Sequence, residues 1–96
     1  MKDFILFMHA DGANTQDTDW GEYLFKLQSS GQFDGGSAVG EGQSFRKSEA
    51  PAPVTSHLTG YLRVRAASLS AAKELLIGNP VYEAGGTVEI RELPRT

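Results

Sequence analysis

The chain begins with a continuous apolar run in which successive residues alternate between two hydrophobic faces. Five consecutive apolar residues are too few for a helix, and their phenylalanine and isoleucine content favours a strand. The run therefore predicts a strand from Asp3 to His9 that is buried on both sides. Its two faces comprise Phe4, Leu6 and Met8, and Ile5, Phe7 and His9.

Two later segments alternate strictly between apolar and polar residues. Apolar or small residues occupy every second position from Leu58 to Ala66, and the same pattern runs from Thr87 to Leu93. This period of two residues predicts two further strands, each with one face towards the core. The apolar face comprises Leu62, Val64, Val88 and Ile90, and the opposite face comprises Tyr61, Arg63, Arg65, Glu89 and Arg91.

Two segments have the spacing of amphipathic helices. The first predicted helix covers residues 19–30, with Asp19 and Glu22 resembling a capping box at its start and Gly31 at its end. The second begins after Ser68 or Ser70, either of which can cap it, and ends before Gly78 and Pro80. The predicted buried stripes are Trp20, Tyr23, Leu24 and Leu27 in the first helix, and Leu69, Ala72, Leu75 and Leu76 in the second.

The middle of the chain has weaker signals. The stretch from Gln32 to Val39 contains two adjacent glycines and predicts either a short strand or a bulged entry to one. A second short strand is predicted from Ser44 to Lys47. The segment from Glu49 to His57 contains two prolines alternating with alanines, which predicts an extended surface loop.

The predicted order of elements is strand, helix, strand or hairpin, strand, helix, strand. This order is typical of the ferredoxin-like split β-α-β class of α+β proteins, with two helices on one face of an antiparallel sheet. At 96 residues the chain has room for one hydrophobic core, so residues 1–96 are expected to form a single domain.

Two helices cover only one face of such a sheet, and the other face would expose one apolar row of the first strand. Burying each large apolar side chain of that row is worth about 1.5–3 kcal/mol. A symmetric homodimer, with two sheets packed face to face as a dimeric α/β barrel, would bury it. The alternative is that the arginine stems on this face cover the row within a single chain.

The composition narrows the class of protein. The formal net charge of −3 argues against a nucleic-acid or anionic-membrane partner, because those partners require a basic surface. The absence of cysteine removes thiolate metal sites and cysteine nucleophiles, and two histidines are too few for a three-histidine metal site. We therefore expect no metal and no cofactor. The apolar opening has neither the length of a membrane span nor the flanks of a signal peptide, which indicates a cytoplasmic protein.

His9 and Asp11 are the candidate catalytic residues. A histidine at the end of a strand, two residues from a carboxylate, can titrate near neutral pH and transfer a proton. The alternative is that His9 caps the strand or binds a backbone carbonyl.

Tyr61, Arg63 and His57 are the candidate ligand-binding residues. Arg63 can bind a carboxylate, and Tyr61 offers an aromatic wall and a hydroxyl, on the face that a dimer would enclose. His57 precedes a strand and is placed for the rim of a pocket. The alternative for the arginines is a structural ion pair of Arg63 or Arg65 with Glu89 or Glu92, or a polar contact between the two chains of a dimer.

Several motifs together resemble the YCII-related, DGPF-type family of small bacterial proteins, and the resemblance covers nearly the whole chain. The most specific of them lie near the C-terminus. The motifs are the strand Phe4 to Met8, Trp20-x-x-Tyr23, Leu27-x-x-x-Gly31-x-Phe33-x-Gly35-Gly36, Gly60-Tyr61-Leu62, Gly78-Asn79-Pro80-Val81 and Gly85-Gly86-Thr87-Val88-Glu89-Ile90-Arg91.

The resemblance implies a ferredoxin-like fold and a dimeric α+β barrel. It also suggests lyase-like chemistry, since a few members of the family are small lyases or dehydrochlorinase-like enzymes. This chain lacks the DGPF tetrapeptide, however, and has Ala50-Pro51-Ala52-Pro53 in that region. It also has no histidine in the first helix, so the acid–base pair of some members does not carry over.

Two functions follow from these observations. In the first, a homodimer encloses a pocket for a small carboxylated or aromatic metabolite and performs acid–base chemistry of lyase or isomerase type. In the second, the chain is a non-catalytic accessory or regulatory binding protein with a degenerate site.

Overall fold

The structure, a computed structural model, describes residues 1–13 and 17–95, with side chains from residue 20 onward in the first helix. It contains four strands and three helices within these residues. Their order is β1 (Lys2–His9), α1 (Asp17–Ser29), β2 (Phe33–Ala38), β3 (Leu58–Ala66), α2 (Leu69–Glu74), α3 (Pro80–Glu83) and β4 (Val88–Leu93).

The four strands form one sheet in the order β2-β3-β1-β4. Strand β1 pairs antiparallel with β3 and with β4, and β2 pairs antiparallel with β3. Each helical connection therefore joins two strands that have a third strand between them. The predicted α+β class with an antiparallel sheet is confirmed, and the topology is consistent with the ferredoxin-like class.

The core lies between one face of the sheet and the helices. Phe4, Leu6 and Met8 of β1 are buried with the predicted apolar residues of β3, and Tyr23 and Leu27 are the buried members of the predicted stripe of α1. Trp20 and Leu24 of that stripe, and Val88 and Ile90 of β4, are only partly buried. The buried apolar side chains are Phe4, Leu6, Met8, Tyr23, Leu27, Leu62, Val64, Ala66, Ala72 and Leu76.

The opposite face of the sheet carries no helix among the described residues, and we call it the open face. Strand register sets its composition, because directly paired residues project on the same side. Phe7 lies between Tyr61 and Glu89 on the neighbouring strands. In the same way Ile5 lies between Arg63 and Arg91. The Ile5 and Phe7 row is therefore the apolar row that the helices leave uncovered, and in a single chain its side chains are only half-buried.

Both ends of α1 and the start of α2 are close to those predicted. The chain leaves α1 through Gly31, whose φ of 75° lies in the left-handed region that favours glycine. Ser68 is the residue that caps α2, since its side chain accepts a hydrogen bond from Ala71 N at 3.1 Å. The predicted capping role of Asp19 lies outside the described side chains.

The second helical region differs from its prediction. Helix α2 ends at Glu74 and Leu69 is 58% exposed, so the predicted stripe is buried only at its later positions. A third helix, α3, was not predicted. It forms because Asn79 accepts hydrogen bonds from the first amides of a new turn, at Val81 N and Tyr82 N, and Pro80 fits the first helical position.

The predicted strand from Ser44 to Lys47 is wrong. Residues 39–57 contain no regular element, and Phe45 is 84% exposed, so the segment buries no apolar face. A strand that has neither such a face nor a sheet edge to pair with gains too little free energy to form.

No helix within the described residues is long and apolar enough to cross a lipid bilayer.

Candidate functional site

His9 lies at the end of β1 in a cluster of titratable side chains. Its ring stacks on that of His57, with centroids 4.7 Å apart and planes inclined by 25°. Its Nε2 is 3.3 Å from Glu89 Oε1, and the His9 side chain is only 13% exposed. A backbone hydrogen bond from Ala10 N to His57 O, 2.7 Å long, holds the two histidines together although they are far apart in sequence.

Glu89 is the carboxylate beside His9, and sequence reasoning missed it in this role. Arg91 donates a hydrogen bond to Glu89 Oε2 at 3.0 Å. The Arg91 guanidinium, assisted by His9, holds the pKa of the Glu89 carboxyl below its usual range. Glu89 is therefore ionised at neutral pH. Only the pairing of β4 with β1, which is not visible in the sequence, brings it to His9.

Asp11 has a different set of contacts. Its two carboxylate oxygens accept hydrogen bonds from Thr87 N at 2.7 Å and from Thr87 Oγ1 at 2.6 Å. These bonds hold the pKa of Asp11 below its usual range, with only a small contribution from His9. Asp11 thus links the end of β1 to the start of β4 and forms no direct contact with His9. Its predicted catalytic role stays a prediction.

Tyr61 and Arg63 lie next to each other on the open face, as their alternation in β3 requires. Arg63 is exposed, and among the side chains that the structure describes no carboxylate forms an ion pair with it. Asp3 interacts with it only at longer range. The guanidinium of Arg63 is thus free to bind an anion.

The alternative prediction, that Arg63 or Arg65 forms an ion pair with Glu89 or Glu92, is wrong. Arg65 Nε lies 3.1 Å from Asp34 Oδ2, on the adjacent strand β2. Glu89 pairs with Arg91, and Glu92 lies 3.9 Å from Lys2 Nζ. The reason is the strand order, since β1 separates β3 from β4 and keeps the β3 arginines away from the β4 glutamates.

A cavity of about 570 Å³ lies on the other side of the sheet, between α1 and strands β2 and β3. Sequence reasoning did not predict it. Trp20 and Leu24 of α1 form one wall, and Val81 of α3 and Phe33 of β2 extend it. The volume falls within the range of about 300–1,000 Å³ that is common for small-molecule sites.

The chemistry available at the open face is that of an imidazole next to an ionised carboxylate. The Glu89 carboxylate lies 3.3 Å from His9 Nε2, where its charge can stabilise an imidazolium. In the described part of the chain, no group of three histidine, aspartate or glutamate side chains is placed to hold a metal ion. Proton transfer and anion binding are thus the functions that these side chains can perform.

Comparisons with protein-family models and with curated proteins find no match to this chain.

Proposed function

We propose that this chain is a YCII-related protein that acts as a cytoplasmic homodimer and binds a small aromatic carboxylic acid between its two open faces. The observation that carries this proposal is the exposed guanidinium of Arg63, which has no ion-pair partner among the described side chains and lies beside Tyr61. A guanidinium without a carboxylate partner can bind a carboxylate ligand in two-point geometry.

The neighbours of Arg63 define the rest of the ligand. The Tyr61 ring lies one step along β3, opposite Phe7 on β1, so the two form an aromatic surface beside the guanidinium. A carboxylate bound by Arg63 would place an attached ring against this surface. The site therefore fits an aromatic acid better than a small aliphatic one.

His9 lies beyond Phe7 on the same strand and supplies acid–base chemistry. We infer that its Nδ1 removes a proton from a carbon next to a carbonyl group and returns a proton to the carbonyl oxygen, which is an isomerase-type step. Ionised Glu89 stabilises the imidazolium that forms. The stacked His57 ring restricts the orientation of His9.

Binding to the open face can be tested by calorimetry with 2-naphthoate as the anionic aromatic probe. Replacing Arg63 by alanine is expected to weaken binding by about ten- to a hundredfold, because a charge-assisted hydrogen bond is worth about 1.5–3 kcal/mol. The matched control is Arg95→Ala, since Arg95 already pairs with Asp3 at 2.8 Å. Equal loss in both variants would contradict an anion site at Arg63.

Catalysis can be tested with phenylpyruvate, an aromatic keto acid with exchangeable methylene hydrogens. The wild-type protein is expected to accelerate exchange of these hydrogens with deuterium in D₂O, and His9→Gln is expected to lose the acceleration while still binding 2-naphthoate. Substitution of Glu89 by glutamine should give a partial loss, because it removes the charge that stabilises the imidazolium.

The second candidate function, a non-catalytic binding protein, is favoured by the contacts of Asp11. Both of its oxygens are occupied by Thr87, so the carboxylate nearest to His9 in sequence holds a loop in place. Binding of 2-naphthoate without any acceleration of exchange would support this function over the enzymatic one.

A further inference from the structure

We propose that the cavity between α1 and the sheet is a second binding site, for a neutral, flat, apolar molecule of about two fused rings. The cavity and Arg63 lie on opposite sides of the sheet, although His9 and Tyr61 of the proposed open-face site are also among the residues that line the cavity. Three properties of the cavity support the proposal: the reason that the space exists, the chemistry of its wall and the shape of its aromatic residues.

The space exists because the sheet has small residues where α1 passes over it. In the register of β2 and β3, Gly36 lies opposite Leu62, and Ala38 lies opposite Gly60. A Cβ atom added to Gly60 would lie 3.2 Å from Ser37 O and 3.3 Å from Met8 Cε, which is tight contact. The two glycines thus allow β2 and β3 to approach closely, and neither they nor Ala38 send a long side chain into the space beneath α1.

The described residues of the cavity wall include no lysine, arginine, aspartate or glutamate, and His9 is the one histidine among them. Two of the hydroxyl groups next to it are already hydrogen-bonded, since Ser37 Oγ donates to Ala38 O at 2.9 Å and Thr59 Oγ1 donates to Met8 O at 3.4 Å. An anionic or cationic ligand would be desolvated there without a lysine, arginine or carboxylate partner, which is unfavourable. The wall thus selects a neutral molecule.

Aromatic residues give the cavity its preference for a flat ligand. Trp20 on α1 and Phe33 on β2 both line it, and both are half-buried rather than sealed in the core. A planar ring between two such side chains can stack on one and meet the edge of the other. A flexible aliphatic chain of the same size would gain less binding free energy from contact with these two aromatic rings.

The protein has a single tryptophan, Trp20, which makes it a reporter of binding in this cavity. We would titrate the full chain with 2-naphthol, which is neutral at pH 7, and follow Trp20 fluorescence together with calorimetry. Saturable quenching with the same affinity in both measurements is the expected result. The absence of saturable binding would overturn the proposal.

A cavity-filling substitution locates the site. Ala38→Phe places a ring in the cavity from the edge strand and is expected to weaken 2-naphthol binding by about tenfold or more through a steric clash. Val39→Phe is the matched control, because Val39 is the next residue and does not line the cavity. Retained binding in Ala38→Phe, or equal loss in both variants, would overturn the proposal. If Ala38→Phe does not fold by circular dichroism, Leu24→Phe fills the cavity from the helix.

The two proposed sites respond to different probes and different variants. Ala38→Phe is expected to leave 2-naphthoate binding unchanged, and Arg63→Ala is expected to leave 2-naphthol binding unchanged. Loss of 2-naphthol binding in Arg63→Ala would overturn the assignment of the neutral ligand to this cavity. Failure of 2-naphthoate to bind at all would affect only the open-face site.

Discussion

Two carboxylates near the open face, Glu89 and Asp11, have different roles because they contact different groups. Glu89 faces a histidine and an arginine, so it contributes charge to a cluster that can move a proton. Asp11 faces only the amide and hydroxyl of Thr87, so it contributes to the stability of the fold. Two residues of the same chemistry thus have separate roles that are set by their neighbours.

We expect Asp11 to stabilise the folded chain in a pH-dependent way. Because the native pKa of this carboxyl is lowered from 3.8, its stabilising effect is fully present above the unfolded pKa and is lost as the pH falls through the native pKa. Replacing Asp11 by alanine should therefore lower the melting temperature at pH 7. The difference in melting temperature between this variant and the wild type should shrink as the pH falls below 3.8, the ordinary pKa of an aspartate.

Thermal unfolding monitored by circular dichroism at several pH values measures this effect. Glu41→Ala is the control, since Glu41 is an exposed carboxylate in the irregular segment 39–57. A difference between Asp11→Ala and wild type that does not change with pH would show that the Thr87 bonds do not depend on the charge of Asp11.

At the level of elements, α2 is short and depends on its cap. It has only six residues, and one side-chain hydrogen bond, from Ala71 N to Ser68 Oγ, satisfies its first turn. Short helices are marginal on their own, so the cap and the packing of one face decide whether they form.

Replacing Ser68 by alanine is expected to lower the free energy of unfolding by about 0.5–2 kcal/mol, the usual cost of losing an N-cap. Ser70→Ala is the control, because Ser70 lies inside the helix, where alanine is the better helix former. Urea denaturation measures the free energy of unfolding of both variants. An equal or larger loss in Ser70→Ala would contradict the assignment of Ser68 as the cap.

At the level of the whole molecule, the sheet has one face covered by helices and one open face. The open face has a half-buried row, Ile5 and Phe7, between arginines and Glu89. Burying that row against a second copy would gain about 1.5–3 kcal/mol for each large side chain. The same contact would enclose Arg63 and the His9 cluster in a space that is largely shielded from solvent.

We expect the wild-type protein at micromolar concentration to have twice the chain mass of 10.4 kDa by light scattering. Phe7→Glu should give the mass of one chain, since a buried charge disfavours the contact. The control is Phe25→Glu, because Phe25 is 73% exposed on α1, in the other layer.

Circular dichroism checks that both variants are folded. If Phe7→Glu does not fold, the mass measurement is repeated with Ile5→Glu. A wild-type mass equal to one chain would contradict the homodimer, and so would an unchanged mass in a folded Phe7→Glu variant.

Much of the fold could be predicted from local patterns. Alternation over Leu58 to Ala66 gave the observed bounds of β3, and the spacing from Trp20 to Leu27 identified the side of α1 that carries the buried Tyr23 and Leu27. These signals are strong because burial of one face repeats along the chain with the period of the element. The third helix was missed because its four residues are too few to show a period, and its start depends on the Asn79 cap.

By itself the sequence determined the α+β class and the alternation that separates the helix-facing residues of the sheet from those on its open face. It also singled out His9 and Arg63, whose side chains have the chemistry for a site. Only the tertiary structure decided that Glu89 is the carboxylate beside His9, that Asp11 holds Thr87 and that small residues of β2 and β3 leave a cavity. The physical reason is that these facts depend on strand order and register, which join residues far apart in the chain, whereas periodicity reports only on neighbours.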